Sequence, residues 1–584
     1  MKQPRGVHRA SGKLKAFDRH FFDSKEVFTV IGNGAIGGKA QGLYFIDSII
    51  QQNCSQGLFG IAVNIPRMTV LASDVFDMFM RANSLYELAY SDVSDYVLAR
   101  KFQQAQLPVP VIGDLQALIN NVHQPLAIRS SSILEDAMYE PFAGIYGTKM
   151  IPNNQPDAKT RFHKLVEAIK FVYASTFFQE AKSYFKGISH NLEEEKMAVI
   201  IQEVVGLRHG DRFYPNISGV IRSYNHYPVA GGKPEDGVVS LALGLGKTIV
   251  DGGNTWYYSP PYPASPPPFN NVQDYLKQTQ LAFWAINMGS PPAFDPMKET
   301  EYLTQEDLAR AEYDHTLHDL ASTYDHRSDR IYTGVSSVGP KILTFAPILK
   351  GEDIPLNRLI TRMIPKCKQA VGHEIEIEFA LTFDTRQQMA PRFGFLQIRP
   401  MVVSRDSIEI SSQEFRSQDA LVASTSILGN GSSTSIRDIV YLDPDRFDIK
   451  NSMAIAGRVA ALNAQLLAGG TPYVLIGFGR WGTSDPWAGI PVKWGDICAA
   501  KVIVEATLPG VYVDLSQGSH FFHNVCSFKV FYFTVKDEPG HRIDWQWLQQ
   551  QQPLAQADSV RHVRLEKPLT IKVSTTNSMG VVLK

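Results

Sequence analysis

The sequence predicts an α+β protein of more than one domain, and three observations carry that reading. The chain has 584 residues, more than a single hydrophobic core supports. Strand-like and helical runs mix without the regular βαβ beat of a doubly wound sheet. A Ser- and Gly-rich stretch, SSQEFRSQDALVASTSILGNGSSTS, reads as an interdomain joint and puts a boundary near residues 405 to 425.

The elements follow in order. Residues 1–25 read as a polar arm. EVFTVIG predicts a short strand, and KAQGLYFIDSIIQQ an amphipathic helix after a glycine turn. Further strands are expected in IAVNIPRMTVL, PLAIRSS, MAVIIQEVV, ISGVIRSY, EIEIEFAL and FGFLQIRPMVV, with a helical stretch in TRFHKLVEAIKFVYASTFFQEAKSYF. Residues 257–271, YYSPPYPASPPPFNN, are too rich in proline for a regular helix or a central strand and are expected to form an exposed loop. Beyond the joint, residues 425–584 predict a smaller α/β domain, with a helix in NSMAIAGRVAALNAQLLAGG and β-rich runs such as SFKVFYFTV. No internal repeat is visible.

Composition excludes several function classes. The chain is 44% hydrophobic and 20% charged, an ordinary globular balance. Lys and Arg total 57 against 58 for Asp and Glu, which argues against a general electrostatic grip on nucleic acid or an anionic membrane. Cys54, Cys367, Cys498 and Cys526 are far apart and form no C-x-x-C pair, so each reads as a small buried apolar residue. The N-terminus is basic without an apolar core, and no apolar run reaches the length of a membrane span, so a cytoplasmic location is expected.

The stretch TVIGNGAIGGKAQGLYFI carries two motif-like spacings. Gly32, Gly34 and Gly37 spell G-x-G-x-x-G, but no acid stands at a strand end where a ribose would need one. A P-loop would need Gly at the position of Asn33 and Ser or Thr at that of Ala40. Two readings remain: a glycine turn that caps a helix, or a flexible turn that sets Lys39 against phosphates. In LAIRSSSILEDAMYEPFAGIYGT, Arg129 offers a planar fork suited to phosphate oxygens, and Ser130, Ser131 and Ser132 offer further donors. Glu135 and Asp136 read either as acids at a helix N-terminus or as holders of a partner residue. EIEIEFAL and FGFLQIRPM read as adjacent strands carrying Glu378, Gln397 and Arg399. A carboxylate and an amide oxygen meeting across two strands suit magnesium, which shares its shell with ATP phosphates. Plain strand alternation would instead turn Glu376 and Glu378 to solvent.

GAIGGKAQGL, LAIRSSSILEDAMYEPFAGIYGT, MAVIIQEVVG, ISGVIRSY, LGLGKTIVDG, EIEFAL and FLQIRPM occur in this order along the chain. The set resembles the N-terminal ATP-grasp module of phosphoenolpyruvate synthase and pyruvate phosphate dikinase, over about residues 25 to 403. The resemblance implies a two-lobed ATP-grasp fold over residues 26–403, with lobes at about 26–200 and 201–403, closed over ATP and Mg²⁺. It implies that Lys39 and Arg129 contact ATP phosphates, that Glu378 and Gln397 hold Mg²⁺, and that Arg399 stabilises transferring phosphoryl charge. Gln202 and Glu203, followed by Val204 and Val205, match the strand and hinge that face the adenine. Phosphoryl transfer needs positioning and charge neutralisation more than covalent help, so these are the expected parts. In the family, ATP phosphorylates a histidine on a separate swivelling domain, and the group then passes to a third substrate.

Three departures qualify the resemblance. The family's GLGE appears as Gly244-Leu245-Gly246-Lys247, an amine for a carboxylate; either Lys247 is used against phosphate or that contact is lost, with Asp251 a weak substitute. No clean phosphohistidine motif occurs. Thr483-Ser484 is followed by Asp485 where His would stand, and Gly518-Ser519-His520 is followed by bulky Phe521 and Phe522. His520 is the candidate carrier, against the reading that His520 and His523 are ordinary half-buried residues beside an aromatic core. The segment after the ATP-grasp region is too short for the family's pyruvate-binding barrel of ~250 residues. The expectation is therefore an ATP- and Mg²⁺-dependent dikinase-like phosphotransferase whose acceptor is a separate protein domain or another small molecule. The alternative is a non-catalytic nucleotide-sensing or scaffold protein.

Overall fold

The structure, a computed structural model, describes residues 14–19, 26–132, 135, 144–186, 191–226, 228, 232–267, 269, 271–336, 338–401, 403, 408–483, 487–507, 525, 528–575 and 577–584. The chain divides into two compact units, Met1–Ala181 with Asn191–Pro400 and Lys182–His190 with Met401–Lys584. Helix and strand contribute similar shares, 30% and 33%, so the class is α+β. No described helix is long and apolar enough to cross a membrane.

The first unit contributes, in chain order, β1 (Phe28–Ile31), β2 (Ala62–Asn64), β3 (Met68–Leu71), β4 (Leu126–Ser132), β5 (Thr148–Ile151) and β6 (Met197–Glu203). These are followed by β7 (Leu207–His209), β8 (Arg212–Tyr214), β9 (Ile217–Arg222), β10 (Val238–Ala242), β11 (Trp256–Tyr258) and β12 (Ala282–Asn287). The last six are β13 (Leu303–Asp307), β14 (Ala321–Asp325), β15 (Arg330–Thr333), β16 (Lys341–Leu343), β17 (Glu374–Asp384) and β18 (Met389–Met401). They build a five-stranded sheet of order β1-β3-β6-β4-β5 and a six-stranded sheet of order β11-β10-β9-β17-β18-β2. Smaller sheets of order β13-β12-β8-β7 and β15-β14-β16 complete the unit.

Apolar runs decide which strands are central. Met197 to Gln202 are all buried, and the strand they form has β3 on one side and β4 on the other. In β9, Gly219 leaves room for Phe379 of β17: a Cβ there would lie 2.2 Å from the ring. Helix α1 (Gly37–Asn53) packs on β4 and approaches β18, where a Cβ at Gly42 would lie 2.9 Å from the Ile398 carbonyl oxygen. Its Leu43, Ile46 and Ile50 share one core with Ile377, Phe379, Phe395 and Ile398, so one apolar cluster serves both large sheets.

Three elements differ from expectation. IAVNIPRMTVL is not one strand: β2 joins the six-stranded sheet beside β18, β3 joins the five-stranded sheet beside β1, and Pro66, which has no N–H for a ladder, lies between them. The long helical stretch breaks into Ala158–Ser175 and Gln179–Lys186. Tyr257 and Tyr258, at the start of the Pro-rich run, still belong to edge strand β11.

The second unit is built on a ten-stranded mixed sheet. Its long strand Gly431–Leu442 runs antiparallel to Val560–Ser574 and parallel to Tyr473–Phe478, and helix Ser452–Ala468 connects the parallel pair. Ile439, Tyr441, Val474, Ile476, Val502, Val504 and Phe533 form its core. Cys54 and Cys367 are buried in the first unit and Cys498 is half-buried in the second; Cys526 lies outside the described residues.

Candidate functional site

The glycine turn after β1 is held by side chains at the start of the helix Ser73–Ala82, which follows β3. The N–H groups of Asn33 and Gly34 donate to the two carboxylate oxygens of Asp74, each at 2.9 Å. The N–H of Ala35 donates to Ser73 Oγ at 3.0 Å. Gly37 has φ +75°, and a Cβ on it would lie 1.7 Å from the Ser131 carbonyl oxygen. The glycines thus serve close backbone approach to the end of β4, and the flexible turn expected from the sequence is a fixed one.

That approach delivers Lys39, in the first turn of α1, to the Ser130–Ser132 end of β4. Lys39 Nζ lies 2.6 Å from Glu135 Oε1 and 3.3 Å from Ser130 Oγ. The same Glu135 oxygen accepts from Ser130 Oγ at 2.8 Å, and its other oxygen accepts from the Ser132 N–H at 3.0 Å. Of the two readings of Glu135, the structure realises the holder of a partner residue; Asp136 lies outside the described residues. Behind this pair sits buried Glu195, whose carboxyl burial pushes up to about 7; hydrogen bonds from Ser132 and Tyr146 oppose the rise and the charge of Glu135 adds to it.

Arg129 stands in the middle of β4 and reaches from one large sheet to the other. Its Nη1 donates to the Leu396 carbonyl at 2.7 Å and to Gln202 Oε1 at 3.3 Å. Its Nη2 donates to Gln397 Oε1 at 2.8 Å and lies 3.8 Å from Glu378 Oε2. The amide oxygen of β18 and the carboxylate of β17 therefore converge on one guanidinium nitrogen.

Glu376 does not face solvent, as strand alternation alone would have it. It is 2% exposed, with Arg222 Nε at 2.7 Å from one oxygen and Arg399 Nε at 2.8 Å from the other. Glu376 and Glu378 lie two apart on β17 and share a face, as Gln397 and Arg399 do on β18. Two guanidinium groups offset the cost of burying the Glu376 carboxylate, so both faces of β17 point into protein. Arg399, at 2% exposure, is engaged with Glu376 in a compartment next to the Arg129 cluster.

At the end of β6, Glu203 lies 3.5 Å from Arg67; burial raises its carboxyl and Arg67 opposes the rise. Val204 packs with Phe213, Leu245, Ile286 and Met288, and half-buried Val205 lies against Gly394, where a Cβ would come within 2.8 Å of its Cγ2. The structure thus brings Arg129, Gln202, Glu378 and Gln397 together, with Lys39 and Arg399 in adjoining ion pairs. His520 and His523 lie outside the described residues, as do Ser484 and Asp485.

Sequence reading missed Glu195 and Arg222. A lone cation at the end of the apolar run ISGVIR was the available signal for Arg222; Glu195, in the acidic run LEEEK, offered none.

Among the described residues, no three His, Cys, Asp or Glu side chains cluster closely enough to hold a metal ion by themselves. Residues 33–419 match the family described as pyruvate phosphate dikinase, AMP/ATP-binding domain. No curated protein matches the chain significantly.

Proposed function

The chain belongs to the pyruvate phosphate dikinase AMP/ATP-binding family, and from that membership we propose that it is an ATP- and Mg²⁺-dependent phosphotransferase with an ATP-grasp site in residues 26–403. The observation that carries the reading is the Arg129 guanidinium, which joins Gln202 of one sheet to Leu396 and Gln397 of the other beside Glu378. A cation fixed between two sheets can meet a phosphate chain lying between them and neutralise charge as it develops.

The donor set also fits magnesium. Glu378 and Gln397 offer a carboxylate and an amide oxygen, both already turned towards one cationic group. Two such ligands are the number a magnesium ion takes when substrate phosphates complete its shell. When bound, Mg²⁺ would supply positive charge that neutralises the phosphates. Around it, Lys39 and Arg129 would neutralise the phosphates, and Gln202, Glu203 and Val205 would flank the base. Arg399 would stabilise the transferring group. The carrier assigned to His520 rests on the sequence pattern, and the acceptor beyond it is a separate domain or small molecule.

The test is incubation with β- and γ-labelled ATP, following AMP release and acid-labile label on the protein. The wild type should turn over ATP. Arg129→Ala should lose turnover by a factor of about 100 or more, with its circular dichroism unchanged. Saturable ATP binding without AMP release or label transfer would refute the phosphotransferase; normal turnover in R129A would refute the site.

A further inference from the structure

We propose that Lys247 is a phosphate-contacting residue of this nucleotide site, paired with Asp251 until a ligand displaces it, and that it gives the site its preference for a long phosphate chain. The proposal rests on the ATP-site reading above and names a residue that reading does not use.

The first observation is where the other cations are committed. Lys39 is 8% exposed and clamped at 2.6 Å by Glu135, whose oxygens also accept from Ser130 and Ser132. Arg222 and Arg399 are engaged with Glu376. Lys149 forms a buried ion pair with Glu301. Lys247 is in a different condition. Its side chain is 25% exposed, and its Nζ lies 2.9 Å from Asp251 Oδ2, a partner four residues along that is itself 32% exposed. A half-buried i,i+4 pair between single charges is weak enough to give way to a multiply charged ligand.

The second observation is what Lys247 faces. Its ammonium lies 5.8 Å above the Trp284 ring, which limits where it can swing. The turn before it is fixed: Gly244 has φ +80°, its carbonyl accepts from Ser218 Oγ at 2.7 Å, and a Cβ there would lie 2.6 Å from the Trp284 carbonyl oxygen. Ser218 belongs to β9, the neighbour of the strand that carries Glu378. Lys247 opens the short helix Lys247–Val250 that follows β10, a strand of the same six-stranded sheet as the candidate magnesium ligands.

A third group ties Lys247 to the phosphate side. Glu299 is solvent-exposed, and its Oε1 accepts from the Thr148 N–H at 3.3 Å. Thr148 stands opposite Arg129 in the β4–β5 register. Crowding by the surrounding protein raises the Glu299 carboxyl, while Lys247 and Lys39 both pull it down and Asp251 pushes it up. One carboxylate thus senses both lysines while anchored opposite Arg129. A polyphosphate bound by Lys39 and Arg129 would, on this proposal, also meet Lys247 in exchange for Asp251.

The experiment is calorimetric titration of the full chain with ATP, ADP and AMP in Mg²⁺, on wild type, Lys247→Ala, Lys247→Arg and Asp251→Asn. Loss of a charged phosphate contact should weaken ATP binding in K247A about tenfold or more, with AMP changed by no more than roughly twofold. K247R should recover most of the ATP affinity, and D251N, lacking the competing carboxylate, should bind ATP at least as tightly as wild type. Equal losses for ATP and AMP in K247A, or no loss for ATP, would overturn the proposal while leaving ATP binding by the wild type intact. If the wild type itself shows no ATP binding that depends on Arg129, the underlying site reading falls, and this proposal with it.

Discussion

Replacing Glu376 by Gln should open the centre of the six-stranded sheet. Glu376 is 2% exposed and holds Arg222 on one oxygen and Arg399 on the other. The side chains of those arginines are themselves 7% and 1% exposed. A glutamine keeps the shape and one acceptor oxygen but removes the negative charge that both buried guanidinium groups contact. Breaking a buried pair in this way costs about 3–5 kcal/mol, a large part of the ~5–15 kcal/mol that holds a domain together. Because the chain has two units, a single unfolding midpoint would mix them. Hydrogen exchange read by mass spectrometry on peptides covering β9 and β17 isolates the effect. Amide protection there should fall between about a hundredfold and a few thousandfold, at tenfold per 1.4 kcal/mol. Peptides from the sheet of the second unit should keep theirs. A change below about fivefold in β9 and β17 would refute the claim that Glu376 is the counter-ion of a buried cation pair.

Glu195 gives a pH dependence with a defined sign. Its folded carboxyl is raised from 4.5 to about 7, chiefly by burial. The folded state therefore holds a proton that the unfolded chain has lost, and stability falls as pH rises through the window from 4.5 to about 7. Glu195→Gln should flatten that fall and gain up to about 3 kcal/mol at pH 8, read from denaturant midpoints across pH; a slope equal to that of wild type would reject it. Gly37→Ala should cost about 2 kcal/mol or more, because its new methyl would meet the Ser131 carbonyl, and exchange in α1 should rise accordingly; unchanged protection in α1 would show that the close approach is dispensable.

The sequence made much of the candidate site legible because its signals are local. A cation in an apolar strand marks Arg129, and strand periodicity places Glu378 with Gln397 and Arg399 at two-residue spacing. Other features needed the folded chain. Alternation describes a strand with one wet face, and it fails for Glu376 because a second cation, Arg222, arrives from 154 positions away. The glycine turn looked mobile because spacing says nothing of Asp74, 40 positions on, whose carboxylate pins it. The P-loop and dinucleotide spacings were likewise local coincidences without the surrounding structure that gives such turns their function.

By itself, then, the sequence determined the α+β class, the positions of several strands and helices, and the residue types of the candidate site, since these follow from periodicity, glycine placement and side-chain chemistry within a few residues. Only the tertiary structure decided that Pro66 separates two strands of different sheets, that Glu135 holds Lys39, that Arg129 joins the sheets, and that Lys247 pairs with Asp251 near the Trp284 ring. Each of these depends on pairing between groups that the chain brings together only when it folds, and burial then sets which charges are committed and which can still take a ligand.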